Sequence, residues 1–300
     1  MPELAEVETV RQELSKEVVG KKIKAVSVTN GRVVRRHPSA KEFRSEVEGR
    51  SIRSVGRLGK YLVLGLDNGS SLVIHLGMSG QLRRAKSAKE AKAKHTHVVI
   101  QFTQGGEMRY VDPRTFGEMF VSNPPPEGTK VVVSASAQVA MGGEGAVIRA
   151  TVPELAGLGF DPVEDVMSWE RFAIVLRSHS MPVKSFLTDQ VIVAGIGNIY
   201  ADETLFAAGL RYDRATDSLS TTEVRRLWRA MVETLAEAIK HGGSTLSDEQ
   251  FVDLFGKPGN YQTFHEVYDR EGLPCRRCRR PIVRVKHQSR STFFCEHCQI

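Results

Sequence analysis

Four cysteines close to the C-terminus form the sharpest chemical pattern in the sequence. Cys275 and Cys278 make one Cys-x-x-Cys pair, and Cys295 and Cys298 make a second pair after sixteen intervening residues. Two such pairs can place four thiolates around one tetrahedral zinc ion, and four thiolates leave no open position for catalysis. We therefore predict one structural zinc ion per chain. The alternative, two redox pairs or disulfides, is disfavoured in a cytosolic protein and in a tail too short to form its own core.

The segment that carries these cysteines is strongly basic. Arginine binds phosphate oxygens through two parallel hydrogen bonds, so a small rigid hairpin with several arginines is suited to the backbone of a nucleic acid. A merely solvated face is the alternative. The basic side chains, opposed by Glu296 alone, are Arg276, Arg277, Arg279, Arg280, Arg284, Lys286 and Arg290.

The first residues of the chain offer a second kind of chemistry. Pro2 and Glu3 follow Met1, and Glu6 lies about one helical turn later. Removal of Met1 would leave Pro2 with a secondary α-amine, and the positive end of a helix favours the neutral, nucleophilic form of an amine. Such an amine can attack a sugar C1′ and form an iminium, with Glu3 and Glu6 as proton carriers. The alternative is that both acids only stabilise the first turn of a helix.

A glycine turn, Gly-Ile-Gly-Asn at 195–198, separates two predicted helices. The helix that follows it exposes unpaired N–H groups, which can form a site for a phosphate. Asn198 would cap this helix or donate to the same phosphate. Because glycine turns between helices are common, this turn alone indicates no function.

Composition narrows the class of protein further. The chain has 300 residues, of which 41% are hydrophobic and 26% charged, and its net charge is +7. An excess of this size favours an anionic partner such as nucleic acid. No apolar run approaches the roughly 18 to 20 residues that a membrane span requires. The N-terminus lacks the apolar core of a signal peptide, so the expected location is the cytosol.

The hydrophobic period changes along the chain and predicts an α+β fold. Residues 3–19 read as a helix, because apolar side chains recur three and four positions apart and Gly20 supplies a stop. Short β-branched runs between residues 23 and 112, separated by turn residues, predict an antiparallel β-sandwich. Helical spacing returns after residue 150. The predicted helices cover 169–179, 183–193, 198–210 and 221–243, the last with Ser220 and Glu223 spaced for a capping box.

Several ordered motifs together are similar to one known family. They are MPELAEVE at the start, GKYL at 59–62, HLGMSG at 75–80, KHTHV at 94–98, YVDPRTFG at 110–117, GIGNIYADE at 195–203, GKPG at 256–259 and the zinc tail. In these motifs the sequence resembles, almost from end to end, the formamidopyrimidine-DNA glycosylases, in the family that also contains endonuclease VIII. The resemblance implies a bifunctional base-excision repair enzyme, which removes an oxidised base and then cleaves the strand.

The resemblance also implies catalytic roles for individual residues. Pro2 would be the Schiff-base nucleophile, and Glu3 the acid that assists departure of the base. Lys60 matches the lysine assigned a proton-donor role in β-elimination, and Arg290 matches the arginine linked to δ-elimination and phosphate binding. Lys60 would otherwise be an ordinary solvated lysine at a strand edge.

By the same resemblance, three side chains fill the hole that an extruded nucleotide leaves in the duplex. Met78 and Phe116 would be apolar wedges in the base stack, and Arg114 would face the orphaned partner base. The alternatives are that Met78 and Phe116 are core residues and that His75 and His95 are ordinary buried histidines. The positions where the family contacts the DNA backbone are His75, His95, His179, Lys184, Asn198, Tyr268 and Arg284.

Some positions depart from the family pattern. Ala5 replaces a usual proline without removing a reactive group, and His179 stands where another basic residue is usual. Arg280 replaces a small residue of the first zinc knuckle. The loop 256–274 keeps GKPG and then diverges, so the reaction class is better specified than the preferred lesion.

The resulting expectation is a two-domain protein with DNA in the basic cleft between the domains. An N-terminal helix plus antiparallel β-sandwich spans residues 1–122, and a linker or insertion spans 123–150. A helical, helix–two-turn–helix DNA-binding domain spans 151–265, and a four-cysteine zinc hairpin spans 266–300.

The expected protein is a bacterial, cytoplasmic and nucleoid-associated monomer that binds damaged double-stranded DNA and one Zn²⁺. Its expected activity is removal of 8-oxoguanine and formamidopyrimidines, followed by β,δ-elimination. Two alternatives remain open at this point. One is the same chemistry on oxidised pyrimidines, as in endonuclease VIII, and the other is a zinc-containing DNA-binding protein without catalysis.

Overall fold

The computed structural model describes residues 1–300, and its N-terminal part is one helix followed by a series of strands. Helix α1 (Leu4–Val18) buries Val7, Val10 and Leu14 against the core of the strands. Gly20 follows the helix at φ +81°, a conformation that favours glycine. The strands are β1 (Ile23–Val28), β2 (Ile52–Leu58), β3 (Tyr61–Leu66), β4 (Ser71–His75), β5 (Gln81–Ala85), β6 (Thr96–Phe102), β7 (Glu107–Val111) and β8 (Glu118–Ser122).

These eight strands form two antiparallel sheets of four. One sheet has the order β1-β6-β7-β5, and the other has the order β2-β3-β4-β8. Helix α1 and helix α2 (Ala40–Val47) contribute to the core that the two sheets share. The predicted sandwich is confirmed, but the sequence does not predict α2, β5 or β8. Strand β5 has polar residues at three of its five positions, and β8 is equally short, so neither shows a clear alternation.

The segment 123–150, expected to be a linker or insertion, contains two helices, α3 (Ala135–Val139) and α4 (Glu144–Thr151). Ile148 of α4 packs on the outer face of the second sheet, beside Leu58 and Phe120. Arg149 is buried and forms an ion pair with Asp165 at 2.9 Å. The small residues and glycines of this segment give no clear helical pattern in the sequence. Helix α4 is stabilised mainly by its tertiary contacts, which the sequence does not show. The predicted domain boundaries remain predictions.

Four further helices follow: α5 (Trp169–Arg177), α6 (Val183–Thr188), α7 (Asn198–Ala208) and α8 (Thr221–Lys240). The predicted capping box of α8 is present, because Glu223 N donates to Ser220 Oγ and Ser220 N donates to Glu223 Oε2. Helix α6 ends at Thr188, before the predicted end at residue 193. There the Asp189 carboxylate accepts the N–H of Val191 at 2.9 Å, which competes with continuation of the helix.

The C-terminal tail is a hairpin of two strands, β9 (Val283–His287) and β10 (Arg290–Phe294). Its apolar side packs against α7 through Phe206, Ile282 and Phe293. The Arg277 guanidinium lies 4.1 Å from the centroid of the Phe206 ring and donates to the Phe206 carbonyl at 2.9 Å. One of the basic residues of this segment, although exposed, therefore also fastens the hairpin to the helices.

The segment after α8 crosses back to the sandwich. Phe251 and Leu254 are buried in the core of the two sheets, and Arg84 N of the edge strand β5 donates to Leu254 O at 2.9 Å. The helical part and the sandwich are thereby joined at a second place besides α1. No helix of the protein has the length and apolar character needed to cross a lipid bilayer.

Candidate active site and DNA-binding surface

The beginning of α1 is docked onto the beginning of α7. Glu3 is buried, and its carboxylate accepts the backbone N–H of Gly197 at 2.8 Å and of Ile199 at 3.0 Å. Leu4 N donates to Gly195 O at 3.0 Å. The anion site predicted at this helix N-terminus is therefore occupied by a carboxylate of the chain itself and is not open to a phosphate. Asn198 neither caps the helix nor faces that site, because its Nδ2 donates to Ser291 O at 2.6 Å.

Glu6 lies one turn further along α1 and is also buried. Its carboxylate accepts the N–H of Glu3 at 2.8 Å, the N–H of Ser244 at 2.7 Å and the hydroxyl of Tyr200. Burial, reinforced by the neighbouring charge of Glu3, raises the pKa of Glu6 above its ordinary value. Two carboxyl groups thus lie beside Pro2, and the raised pKa of Glu6 favours its protonated form.

Lys60 occupies the tight turn between β2 and β3, which contacts the same glycine turn. Gly59 has φ +56°, and a Cβ at this position would lie 3.3 Å from Gly195 N, so a side chain there would crowd the contact. Lys60 is only 7% exposed. Burial lowers the pKa of Lys60, the positive charge of Arg290 lowers it further, and the charge of Glu3 opposes both. Lys60 therefore lies within electrostatic range of two of the other residues predicted to be catalytic.

A buried arginine holds this turn in place. Arg57 is fully buried, and its Nη1 donates to Gly59 O at 2.9 Å and to Asp161 Oδ2 at 2.6 Å. Its Nε donates to Glu8 of α1 at 3.0 Å. Asp161 also accepts the N–H of Gly59 at 2.8 Å. Arg57 thus ties the Lys60 turn to α1 and to the segment that follows α4.

A polar cavity of about 350 Å³ opens between α6, the start of α7 and the tip of the zinc hairpin. The exposed side chain of Arg290 lines it, together with Asn198 and His287. Neutral and positive donors predominate in the lining, so the cavity is suited to an anionic group such as a phosphate. The full lining is Met181, Lys184, Ser185, Thr188, Asp189, Asn198, His287, Gln288 and Arg290.

Lys184, predicted to contact the DNA backbone, is buried and paired within the protein. Its side chain is 3% exposed, and its ammonium lies 2.6 Å from Asp202 Oδ1 and donates to Thr292 Oγ1 at 2.7 Å. Burial raises the pKa of Asp202 to about 7, against the opposing charge of Lys184. Lys184 therefore anchors the zinc hairpin to α6 and α7 and also lines the polar cavity, so its contact with a DNA phosphate stays a prediction.

The two predicted wedge residues are exposed rather than part of the core. Met78 is 38% exposed and Phe116 is 45% exposed. The Arg114 guanidinium lies 4.7 Å from the centroid of the Phe116 ring. Asp112 is buried beneath this turn and accepts the N–H of Arg114 at 3.2 Å and of Gly117 at 2.9 Å. The geometry therefore supports the wedge interpretation over the core alternative.

The three predicted histidine contacts differ in their surroundings. Burial, with the neighbouring charge of Lys60, lowers the pKa of His75 to about 4, so His75 is a neutral side chain at the Lys60 turn. His95 is exposed at φ +63°. The His179 ring contacts Phe186 edge-on, and its Nδ1 lies 2.8 Å from Val175 O.

Tyr268 and Arg284, the two remaining predicted contacts, lie at the base and on the outer strand of the zinc hairpin. Tyr268 is half-buried, and its backbone N–H donates to the buried Glu203 carboxylate at 2.8 Å. Arg284 is exposed, and its Nε donates to Ser291 Oγ at 3.0 Å. The Arg284 guanidinium also lies 3.5 Å from Glu271 Oε2, and its contact with a backbone phosphate stays a prediction.

The four cysteines form a single cluster. Their Sγ atoms all lie within 4.8 Å of one another, with 3.9 Å between Cys275 and Cys298 and 3.4 Å between Cys278 and Cys295. A tetrahedral zinc ion with Zn–S distances of about 2.3 Å separates its sulfurs by about 3.8 Å. The donor set and its spacing fit one structural zinc ion, which would close the hairpin and leave no position for substrate.

Three stretches of the chain match described families in sequence order. Residues 1–119 match the formamidopyrimidine-DNA glycosylase N-terminal domain, and residues 158–250 match the formamidopyrimidine-DNA glycosylase H2TH domain. Residues 272–300 match a zinc finger found in FPG and IleRS. The chain belongs to the formamidopyrimidine-DNA glycosylase family. It is a DNA repair glycosylase with a zinc finger, as the sequence motifs predict.

Relatives of this glycosylase align with it over nearly its whole length. The formamidopyrimidine-DNA glycosylase of Pelotomaculum thermopropionicum is 36% identical over 100% of this chain and 99% of its own length. The formamidopyrimidine-DNA glycosylase of Thermus thermophilus is 38% identical over 100% of this chain and 98% of its own length.

Solved structures of related proteins have the same fold. The crystal structure of MutM (Fpg) from Thermus thermophilus has a TM-score of 0.80 at 36% identity and covers 99% of this chain and 98% of its own. A complex of Lactococcus lactis Fpg with DNA that contains N7-benzyl-Fapy-dG has a TM-score of 0.82 at 32% identity, with 99% of each chain covered.

Sequence reasoning missed several residues that hold the site of this glycosylase together. Arg57 and Asp161 fix the Lys60 turn, and Glu203 holds the backbone at Tyr268. Asp112 supports the turn at residues 112–117, called the wedge turn below. Each of these four is buried and polar, which is unusual enough to suggest a specific partner. The only signal in the sequence is a charged residue within or beside an apolar segment, and that signal does not identify the partner.

Proposed function

We propose that this glycosylase removes oxidised purines, chiefly 8-oxoguanine and formamidopyrimidines, from double-stranded DNA and cleaves the strand by β,δ-elimination. The observation that carries the proposal is the convergence of Pro2, Glu3 and Lys60 at one junction. The start of α1 docks on the glycine turn before α7, and the Lys60 turn contacts the same glycine turn. A nucleophile, a carboxylic acid and a lysine thereby meet beside a cavity that carries Arg290.

The proposed nucleophile is the α-amine of Pro2, which is free once Met1 has been removed. Pro2 is buried beside Met78 and Ser244 at a small cavity. The neutral amine attacks the sugar C1′ and gives up its proton to the Glu3 carboxylate as the bond from C1′ to the base breaks, and Glu3 passes that proton to the departing base. Opening of the sugar ring then gives an iminium between Pro2 and C1′. Glu6, whose raised pKa favours its protonated form, is a nearby source of protons.

Lys60 and Arg290 serve the later steps in this proposal. The two positive charges lie within electrostatic range of each other and of Glu3. Elimination breaks a C–O bond to a phosphate, first on the 3′ side and then on the 5′ side of the lesion. A cation beside each departing phosphate stabilises its developing charge, and Lys60 is the proposed proton carrier for the first elimination.

The proposed DNA surface uses the exposed residues around this junction. Met78 and Phe116 would enter the base stack after the damaged nucleotide has left it, and Arg114 would meet the partner base. The proposed backbone contacts are His75, His95, His179, Lys184, Asn198, Tyr268 and Arg284, and Lys184 would reach a phosphate through the polar cavity that it lines.

The expected substrate follows from the relatives. Lactococcus lactis Fpg has been solved with DNA that contains Fapy-dG, and the proposal assigns the same class of ring-opened purine to this chain. The relatives named above come from bacteria. We propose that the chain likewise acts as a monomer on the nucleoid DNA of the bacterial cytoplasm.

The test is borohydride trapping on a panel of duplexes, each with one lesion. Borohydride reduces an iminium to a stable amine, so a trapped complex reports the proposed chemistry directly. We expect trapping with 8-oxoguanine and formamidopyrimidine duplexes. Stronger trapping with oxidised pyrimidines would support an endonuclease VIII-like preference instead. Tight binding without trapping on any duplex would contradict catalysis.

A further inference from the structure

A lysine-rich loop joins β5 to β6, and no step of the proposed reaction uses it. Its residues 86–95 are all exposed and include Lys86, Lys89, Lys92 and Lys94. Within the loop only Glu90 opposes these charges. None of the four lysines forms an ion pair, whereas two other lysines of the chain do. The loop therefore presents four unpaired ammonium groups to solvent.

The loop is held firmly although it is exposed. Arg109 of β7 is 4% exposed, and its guanidinium donates to Ala91 O and to Glu90 O at 3.0 Å each. The same guanidinium forms an ion pair with Glu107 at 2.8 Å, which neutralises the other acid near Lys92. A buried arginine that binds successive loop carbonyls fixes the path of the backbone, so the lysines start from defined positions.

One end of the loop adjoins the wedge turn, and the other end lies a strand length away. Asp112 supports the turn that carries Arg114, and its N–H donates to His95 O at 3.1 Å. Strand β5 pairs with β7 from Gln81 opposite Val111 to Ala85 opposite Glu107, so the loop starts at the far end of β5. Four steps of about 3.4 Å along this strand correspond to about 14 Å. That distance equals the rise of about four base pairs.

We propose that Lys86, Lys89, Lys92 and Lys94 form a second phosphate-binding surface, which contacts the DNA backbone on the flank of the lesion beyond the wedge turn. The proposal rests on the proposed function, because it adds contacts to the same bound duplex. When the wedge turn enters the stack, Lys94 lies closest to the opened site, and Lys86 reaches several base pairs outward. Ammonium groups on flexible side chains contact phosphates without reading bases, so these contacts add affinity and no preference for a lesion.

The test compares two variants that lose the same charge. In one, Lys86, Lys89, Lys92 and Lys94 are all changed to Gln. In the matched control, the exposed lysines of other elements, Lys24, Lys41, Lys130 and Lys240, are changed to Gln. The dissociation constant of each protein is measured against salt concentration on a long lesion duplex and on the same duplex without the lesion.

We expect the loop variant to show a log–log salt slope that is shallower by about two to four, since each neutralised phosphate contributes about 0.9. The loss of affinity should be equal on damaged and undamaged duplexes, and the rate of base excision at saturating DNA should stay unchanged. A duplex that keeps a long arm on the opposite side but only about two base pairs on the flank beyond the wedge turn should reduce the difference between variant and wild type. A loop variant with the same slope and affinity as the control variant would overturn the proposal.

Failure of this proposal is distinguishable from failure of the proposed function. The salt slope measures binding alone, whereas borohydride trapping by the unaltered protein measures the chemistry. If the unaltered protein traps and the loop variant has an unchanged salt slope, the second phosphate-binding surface is ruled out while the proposed reaction is still supported. A shallower slope in a protein that never traps would support the surface and contradict the reaction.

Discussion

Glu3 Oε2 accepts a hydrogen bond from the backbone N–H of Gly197 at 2.8 Å, although 194 positions separate the two residues in the chain. This contact fastens the start of α1, and with it the proposed nucleophile Pro2, to the N-terminus of α7. It also explains why position 197 is a glycine. A Cβ there would lie 2.9 Å from Glu3 Cγ and closer still to its carboxylate, while the backbone conformation itself suits any residue.

Gly197→Ala should therefore displace the Glu3 carboxylate without straining the backbone. We expect base excision to fall by about 10²-fold, within the range for loss of a positioned acid, while affinity for lesion DNA changes little. Single-turnover excision and equilibrium binding measure the two effects. Gly157→Ala is the matched control, since nothing lies within 4 Å of a Cβ at that position. Normal excision by Gly197→Ala would show that Glu3 need not hold this position.

Lys60→Met should separate strand cleavage from stability. Burial lowers the pKa of Lys60, so the folded protein binds this proton less tightly than the unfolded chain does. The charge therefore costs stability below that pKa, and the thermal midpoint of the variant should be unchanged or higher. Cleavage of a preformed abasic site should fall by about 10²-fold, and exposed Lys24→Met should leave it unchanged.

The wild-type pH profile provides a further readout of the same residue. If the Lys60 ammonium donates the proton, strand cleavage declines as pH rises through its pKa, at a lower pH than for an ordinary lysine. Full cleavage by Lys60→Met, or a large drop in its thermal midpoint, would mean that the residue is structural.

Cys278→Ser should remove both zinc and DNA affinity while the sandwich stays folded. The four sulfurs surround one position, and the hairpin has only a small apolar cluster of its own. Metal analysis should find one zinc per chain in the wild type and none in the variant, and lesion-duplex affinity should fall at least tenfold. Glu296→Gln, an exposed change between the second pair of cysteines, serves as the control. A zinc-free protein with full DNA affinity would contradict this assignment.

Met78→Ala and Phe116→Ala should impair activity far more than stability. Both side chains are more than one-third exposed, so truncation should change the free energy of unfolding by only about 0.5 kcal/mol. Excision from lesion duplexes should fall at least tenfold because the opened stack is no longer filled. Val132→Ala, at a site that is 79% exposed, is the control for loss of a surface apolar group. A large loss of thermal stability with normal excision would identify both residues as core.

Much of the fold follows from local patterns in the sequence. Helix α1 and helix α8 show apolar residues at helical spacing with a recognisable stop or cap, and most strands show clear β-branched runs. The zinc site is predictable because its ligands occur in two short pairs whose spacing alone limits the geometry.

The contacts that assemble the site are not predictable in this way. Two of these contacts, Glu3 with Gly197 and Arg57 with Asp161, join parts of the chain that are far apart in sequence. A third, Lys184 with Asp202, joins the neighbouring helices α6 and α7. Each depends on burial, which decides whether a charged side chain seeks a partner or solvent. The sequence therefore identifies Lys184 as a basic residue in the right motif, whereas its ion pair becomes evident only in the fold.

The site of the covalent bond to DNA tests the account most directly. Protein that begins at Pro2 is mixed with an 8-oxoguanine duplex and borohydride, digested, and the crosslinked peptide is identified by mass spectrometry. The account predicts a crosslink on the N-terminal peptide, at Pro2, and no crosslink in a matched protein that retains Met1, because that protein has no free proline amine. A crosslink at Lys60, or normal excision of 8-oxoguanine by the protein that retains Met1, would contradict it.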